Sequence, residues 1–266
     1  MIQPLAYIDS QAKIADNVVI EPFAVIHKNV EIGEGTMIGS NAIIMEGSRI
    51  GKNCKIFPGA VISAVPQDLK YAGENTLVRI GDNVIIREFV TINRGTKANA
   101  ETVIGDNCLL MAYAHVAHDC VIGKNVIMAN SAALAGHIFI DDWAIIGGVV
   151  AVHQFVNIGA HAFIAGGGLV RKDVPPFTKA AREPLSYAGI NSIGLRRRGF
   201  SLEKIKEIQD IYRILFIKGY NVAQAVRIIE TEMPPTPERD EIISFINNSS
   251  RGIMKGYSRN NNGNDR

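Results

Sequence analysis

From Ile2 to Val170 the chain counts in sixes. The series that starts at Ile2 runs through Ile8, Ile14, Ile20 and Ile26 and keeps one phase as far as Ile158, Ile164 and Val170. Of its 29 positions, 26 carry Ile, Leu, Val or Met; the exceptions are Asp68, Glu74 and Ala98. Two residues before the aliphatic position stands a small or β-branched one, such as Ala6, Ala12, Val18 or Thr36, and Gly often follows it (Gly33, Gly51, Gly105). A period of six fits neither a helix face nor a half-buried strand. It fits a solenoid of short strands and turns that sends one aliphatic side chain per segment into a narrow core. Three hexads make one triangular coil of about 18 residues, and coils stack at about 4.8 Å. Aliphatic side chains then form ladders, which suits β-branched Ile.

The three exceptions mark where the chain leaves the coil. The segment 63–79 keeps the phase but replaces two rungs by Asp68 and Glu74, and Pro, Gly and Asn punctuate it, so it reads as an excursion loop. A smaller excursion surrounds Ala98, over 94–101. Loops on a rigid solenoid are common places for binding groups. The repeat stops near Val170, closed by Asp173-Val-Pro-Pro, and an irregular stretch follows to Gly199. From Ser201 the period turns helical: Leu202, Ile205, Ile208, Tyr212, Leu215 and Phe216 share a face, with Ser201 as N-cap and Gly219 as C-cap. Further helices are expected from Val222 to Glu232 and from Glu238 to Asn248, separated by Pro234, Pro235 and Pro237. The expected organisation is a prism over 1–188, a small α-helical domain over 189–257 and a disordered Asn-rich tail over 258–266.

Charge divides along the same line. Residues 1–170 hold 11 Lys/Arg against 15 Asp/Glu, a net −4; residues 171–266 hold 17 against 11, a net +6. A basic end of this kind can meet an acidic protein or a phosphorylated ligand. The three cysteines, Cys54, Cys108 and Cys120, all occupy the small slot before a rung, which makes them buried small hydrophobes rather than a disulfide or metal set. With no apolar run of spanning length and no leader pattern, the expectation is a cytoplasmic protein with no stable membrane insertion and no nucleic-acid partner.

The coil length decides which histidines can meet. His118, Gly136 and Gln154 are 18 apart and stack as one column over three coils. His137 lies one residue beyond that column, His153 one before it, and His115 three upstream of His118. They crowd one edge within a height of about 10 Å. His27 and His161 fall elsewhere. Two chemistries suit such a cluster: a zinc site shared between subunits, as in the γ-class carbonic anhydrases, or acid–base catalysis by one histidine while the others bind substrate. A purely structural prism would leave the column unexplained.

The runs Ala114-His-Val-Ala-His-Asp-Cys120, Leu134-Ala-Gly-His137, Ala151-Val-His-Gln-Phe155, Arg196-Arg-Arg-Gly-Phe200 and Gln67-Asp-Leu-Lys-Tyr-Ala-Gly73 resemble the UDP-N-acetylglucosamine acyltransferases of lipid A synthesis, over the chain to about residue 255. The resemblance implies a mainly β fold, a left-handed parallel β-helix followed by a small helical domain. The left hand comes from the resemblance alone, since the general crossover rule favours the opposite one. It also implies a homotrimer with sites between prisms, and transfer of an R-3-hydroxyacyl chain from acyl carrier protein to the 3-hydroxyl of UDP-N-acetylglucosamine without metal or organic cofactor. Carried over residue by residue, His118 is the general base and the Gly136 N–H the oxyanion donor. Gln67, Asp68, Lys70, His115 and His137 contact the sugar, and His153 and Gln154 lie near the acyl chain and nucleotide. Asn191, Arg197 and Arg198 approach the diphosphate, where the forked Arg donors suit phosphate. Asp119 could orient a histidine, although neighbouring residues of a strand point apart.

Three positions tune that expectation. Ile193 stands where the family often has Glu. Pro184 replaces a His that some members place over the acyl groove. Gly166 sits where a small residue leaves the groove open, which implies a long hydroxyacyl chain. Within the pathway the later N-acyltransferase is disfavoured, because it carries a uridine-binding domain before the prism and here the hexads begin at Ile2. The acetyl-CoA-dependent acetyltransferases of the same fold lack both the loop and the helical tail.

Overall fold

The computed structural model describes residues 4–97 and 100–256; Ile2, Ala98 and the tail from Ser258 lie outside them. Two-residue strands alternate with two-residue corners to build a three-sided prism. Face 1 runs from Tyr7–Ile8 to Leu169–Val170, face 2 from Lys13–Ile14 to Asn157–Ile158, and face 3 from Val19–Ile20 to Phe163–Ile164. Every pairing between coils is parallel, and the expected rungs stack: Ile8 on Ile26, Ile26 on Ile44 and Ile44 on Ile62 in face 1. Ile20, Ile26, Ile38, Ile44 and Ile56 have no solvent exposure. The residue before each rung points outward, as the strand pleat requires.

The excursions account for the changes of register. In face 1 Val61 pairs with Thr91 and Thr91 with His115, separations of 30 and 24 residues, where His115 pairs with Ala133 at 18. Both insertions leave from the corner between faces 1 and 2. Strands Val61–Ala64 and Leu77–Ile80 claim the ends of the expected 63–79 segment, because their backbones complete the ladders, so the loop proper is 65–76. It is braced by itself: the Tyr71 hydroxyl donates to the Glu74 carbonyl (2.8 Å), and the Lys70 N–H donates to Asp68 Oδ1 (3.0 Å). Leu69 at its tip is fully exposed.

The stretch between Val170 and Gly199 is more regular than the sequence suggests. Thr178–Ala181 adds one rung to face 3 and Ser186–Ile190 turns back on it antiparallel. A short helix α1 (Ser192–Arg197) follows, capped by Asn191. Helix α2 (Leu202–Phe216) starts at Ser201 as expected but ends at Ile217; Gly219, at φ +81°, lies beyond the cap. Helices α3 (Val222–Glu232) and α4 (Pro237–Asn248) begin at Asn221, in a capping box with Gln224, and at Thr236. The α2 hydroxyl of Tyr212 donates to the Pro176 carbonyl (2.5 Å). Asp173, fully buried at the prism end, accepts from the Asn157 N–H (2.8 Å) and the Ser249 hydroxyl (2.6 Å), tying the C-terminal segment to the coil.

Candidate active site

At nearly every corner of the prism stands a pair of residues whose second member has positive φ. In the lower coils that member is often Asn, as at 17, 29, 53, 83, 107 and 125, the residue that best tolerates the left-handed region. Up the corner between faces 1 and 2 it becomes Asp119, His137 and Phe155, with φ of 59°, 60° and 63°. The first members there are His118, Gly136 and Gln154, stacked as the 18-residue spacing predicts: the His137 N–H donates to the His118 carbonyl (3.1 Å) and the Phe155 N–H to the Gly136 carbonyl (3.3 Å).

His118 is buried, 6% exposed, and its Nδ1 lies 2.7 Å from Asp119 Oδ2. The side chains of these neighbours meet because they occupy a turn and not a strand. The expectation that they point apart is corrected by the left-handed φ of Asp119. An ionised carboxylate only accepts, so Nδ1 carries the hydrogen and Nε2 is left as the basic nitrogen. Burial alone would push the Asp119 carboxyl up. Hydrogen bonds from the Thr96 hydroxyl, His118 and the Thr96 N–H outweigh it and hold the group below the ordinary carboxylate value.

Gly136 lies over the imidazole. A Cβ there would stand 2.5 Å from His118 Cε1 and 2.7 Å from Nε2, so only glycine fits. Among the described residues the Gly136 N–H has no acceptor. His137 packs edge-on to His118 (centroids 5.1 Å), lies flat against Phe155 (4.7 Å), and brings Nε2 to 3.7 Å from Asp119 Oδ2. His115 sits on face 1 with Nδ1 2.7 Å from the Thr91 hydroxyl, and burial lowers its pKa. His153 and Gln154 are exposed one coil above Gly136. His118, Asp119 and His137 also offer three ligand atoms within 4.8 Å of one another, the only part of the histidine cluster with a metal-binding arrangement among the described residues.

The other expected site residues separate by corner. Gln67, Asp68 and Lys70 share the His118 corner, on the loop that leaves it two coils below. Asn191, Arg197 and Arg198 belong to the corner between faces 2 and 3. There Asn191 Nδ2 donates to the His161 carbonyl (2.9 Å), while Arg198 lies 3.1 Å from His161 Nδ1 and over the Trp143 ring (5.2 Å). Burial, and then the Arg198 charge, push His161 down to about 4. Arg197 is exposed. Gly166 occupies the third corner, beside a cavity of about 230 Å³ that it shares with Ala165, Arg182 and Leu185. Sequence reasoning missed Thr91 and Thr96. The signal for Thr96 was present as the phase-keeping insertion around Ala98. All three cysteines are buried and free, as expected.

Comparison with known proteins places this geometry. Residues 173–254 match the family described as UDP-N-acetylglucosamine O-acyltransferase, domain 2, and residues 101–136 match the bacterial transferase hexapeptide (six repeats). The acyl-(acyl-carrier-protein)–UDP-N-acetylglucosamine O-acyltransferase of Alkalilimnicola ehrlichii is 47% identical over 255 residues, 96% of this chain and 99% of that one. The crystal structure of the Bacteroides fragilis UDP-N-acetylglucosamine acyltransferase superposes with a TM-score of 0.94 at 52% identity, covering 96% of this chain and all of the other. That of the Francisella novicida enzyme superposes with a TM-score of 0.93 at 43% identity, covering 98% and 95%. The prism is therefore a left-handed parallel β-helix with a C-terminal helical region, and the chain belongs to the UDP-N-acetylglucosamine O-acyltransferase family.

Proposed function

We propose that this chain moves an R-3-hydroxyacyl group from acyl carrier protein to the 3-hydroxyl of UDP-N-acetylglucosamine, the first step of lipid A synthesis, with His118 as general base. The observation that carries the mechanism is the buried imidazole, backed by Asp119 at 2.7 Å and lying against Gly136, whose N–H has no acceptor among the described residues. A sugar hydroxyl is a poor nucleophile at neutral pH. His118 Nε2 takes its proton as the oxygen attacks the thioester carbonyl, and Asp119 stabilises the imidazolium that forms. The carbonyl oxygen gains charge and accepts from the Gly136 N–H, a donor of a kind worth about 10²–10³-fold. Collapse breaks the C–S bond, and the proton returns from His118 to the departing carrier thiol.

The same trio of ligand atoms could suit a metal. Asp119 argues against that reading, because its carboxylate already accepts from the Thr96 hydroxyl and N–H and from His118. Elemental analysis of the purified protein separates the two: stoichiometric zinc would favour metal-assisted chemistry.

His115 and His137, with Gln67, Asp68 and Lys70 on the loop, are the sugar-binding groups of this proposal. Within one chain they sit at a different corner from Asn191, Arg197 and Arg198, and from Gly166. A homotrimer that lays one prism's face against another's corner would close the site, with the basic helices docking the acidic carrier. Among the described residues no helix is long and apolar enough to cross a membrane. A transfer assay with UDP-N-acetylglucosamine, its 3-amino analogue and a ladder of hydroxyacyl carrier proteins tests the reading. Long-chain transfer to the hydroxyl sugar is expected, and His118→Ala should lower kcat by about 10²–10⁴-fold. Full activity of that variant would remove the base assignment.

A further inference from the structure

We infer that Thr96, carried on the insertion at 94–100, is a positioning residue for the His118–Asp119 pair. The insertion adds six residues to one coil, seen as the 24-residue separation of Thr91 and His115 against 18 in the next coil. It leaves from the His118 corner one coil below the imidazole. From there the Thr96 N–H donates to Asp119 Oδ1 (2.9 Å) and the Thr96 hydroxyl donates to Oδ2 (2.6 Å). Oδ2 is the oxygen that receives His118 Nδ1–H. Behind the carboxylate, the Asp119 N–H donates to the hydroxyl oxygen of buried Thr102 (2.9 Å). Backbone and carboxylate of Asp119 are thus fixed separately by two threonines, one on the insertion and one on the strand Glu101–Ile104 that follows it.

The arrangement answers a specific weakness of the pair. Asp119 reaches its immediate neighbour from a left-handed turn residue, so small rotations of its short side chain change the angle at which the imidazole is met. His137 Nε2, 3.7 Å from the same Oδ2, offers a competing partner. A hydroxyl on Oδ2 together with an N–H on Oδ1 leaves one carboxylate orientation, and that orientation sets the ring plane of His118 beneath Gly136. Misplacement of a reacting group by a fraction of an ångström is felt in the chemical step and not in ground-state binding. Thr96 touches neither substrate in this scheme; it acts through Asp119.

The inference rests on His118 being the base, and the experiment keeps the two apart. Thr96→Val keeps the shape and the backbone donor but loses the hydroxyl, and Thr96→Ser restores it. Steady-state transfer assays should show kcat of Thr96→Val down roughly tenfold, the loss of one charge-assisted hydrogen bond, with KM for both substrates unchanged. Thr96→Ser should recover most of the rate. Combined with Asp119→Ala, Thr96→Val should add nothing further, since the group it acts through is gone. Parental rates for Thr96→Val while His118→Ala is inactive would overturn the role of Thr96 and leave the base in place. So would equal losses in the Val and Ser variants, or a loss that multiplies with Asp119→Ala. An active His118→Ala would overturn the base, and the inference with it. Thr96→Ala is read the same way if the valine variant does not fold.

Discussion

At a corner of this prism one residue must adopt a left-handed conformation, and Asn accepts that at little expense. Phe155, Trp143 and Val149 accept it less readily than Asn or His, the β-branched valine least of all. Such residues persist where their side chains have work or close partners, and here His137 stacks on Phe155 and bears on the His118–Asp119 pair. Gly136 is constrained differently. Its Cα hydrogen faces an imidazole that leaves no room for a methyl, so Gly136→Ala must push the ring aside or tilt the peptide above it. Either change would separate the proposed base from the proposed oxyanion donor. We expect Gly136→Ala to lower kcat by about 10²-fold with KM little altered, on the scale of a lost oxyanion donor. A crystal structure of the variant should show the His118 ring displaced. Unchanged kcat would show that the close approach is packing alone.

The elements differ in how far they could be read beforehand. The hexad rungs were plain, because one aliphatic residue per six has no other compact use, and the helical start at Ser201 followed from cap chemistry. The hairpin at 178–190 and α1 were hidden, since each is stabilised by tertiary partners: the former by an open rung of face 3, the latter by Asn191 reaching the His161 carbonyl. The His118 column was legible from spacing, whereas Thr96 and Thr91 were not, as their partners depend on where an insertion folds back. Helix α4 carries a feature that only packing creates. Burial, then Asp141 on the prism and Glu238 on the same helix, raise Glu241 to about 7 from an ordinary 4.5. The folded state therefore favours the protonated form. Stability relative to the unfolded chain is fully present below pH 4.5 and is lost as pH rises through about 7. Glu241→Gln should match the parent in Tm at pH 4 and exceed it by about 3 °C at pH 8. Equal Tm values at pH 8 would mean that α4 holds this carboxylate in contact with water.

Over the whole molecule the three faces are not alike. Face 2 presents Lys13, Glu31, Arg49 and Arg79 in its lower coils, paired with one another or with Glu101. Face 3 presents Met37, Ile85, Leu109, Ile127, Ile145 and Phe163, interrupted by Lys55 between Met37 and Ile85, and face 1 presents Val25, Ile43 and Val61 below Thr91 and His115. All of these are outward residues, since the rungs behind them fill the core. Two apolar faces meeting at one edge, with a charged face opposite, suit three prisms packed around a common axis with the charged faces outward. The distribution of the proposed site residues over separate corners points the same way: under the proposed function the imidazole of one prism would work with the arginines of another. The protein should sediment as a particle of three 28.9 kDa chains. Ile127→Glu should shift it towards monomer and abolish transfer, because a buried unpaired carboxylate opposes association by several kcal/mol. Lys13→Ala, on the charged face, should leave both the particle and the rate as they were. A monomeric parent with full activity would mean that one prism closes the site unaided, and the apolar faces would then need another partner.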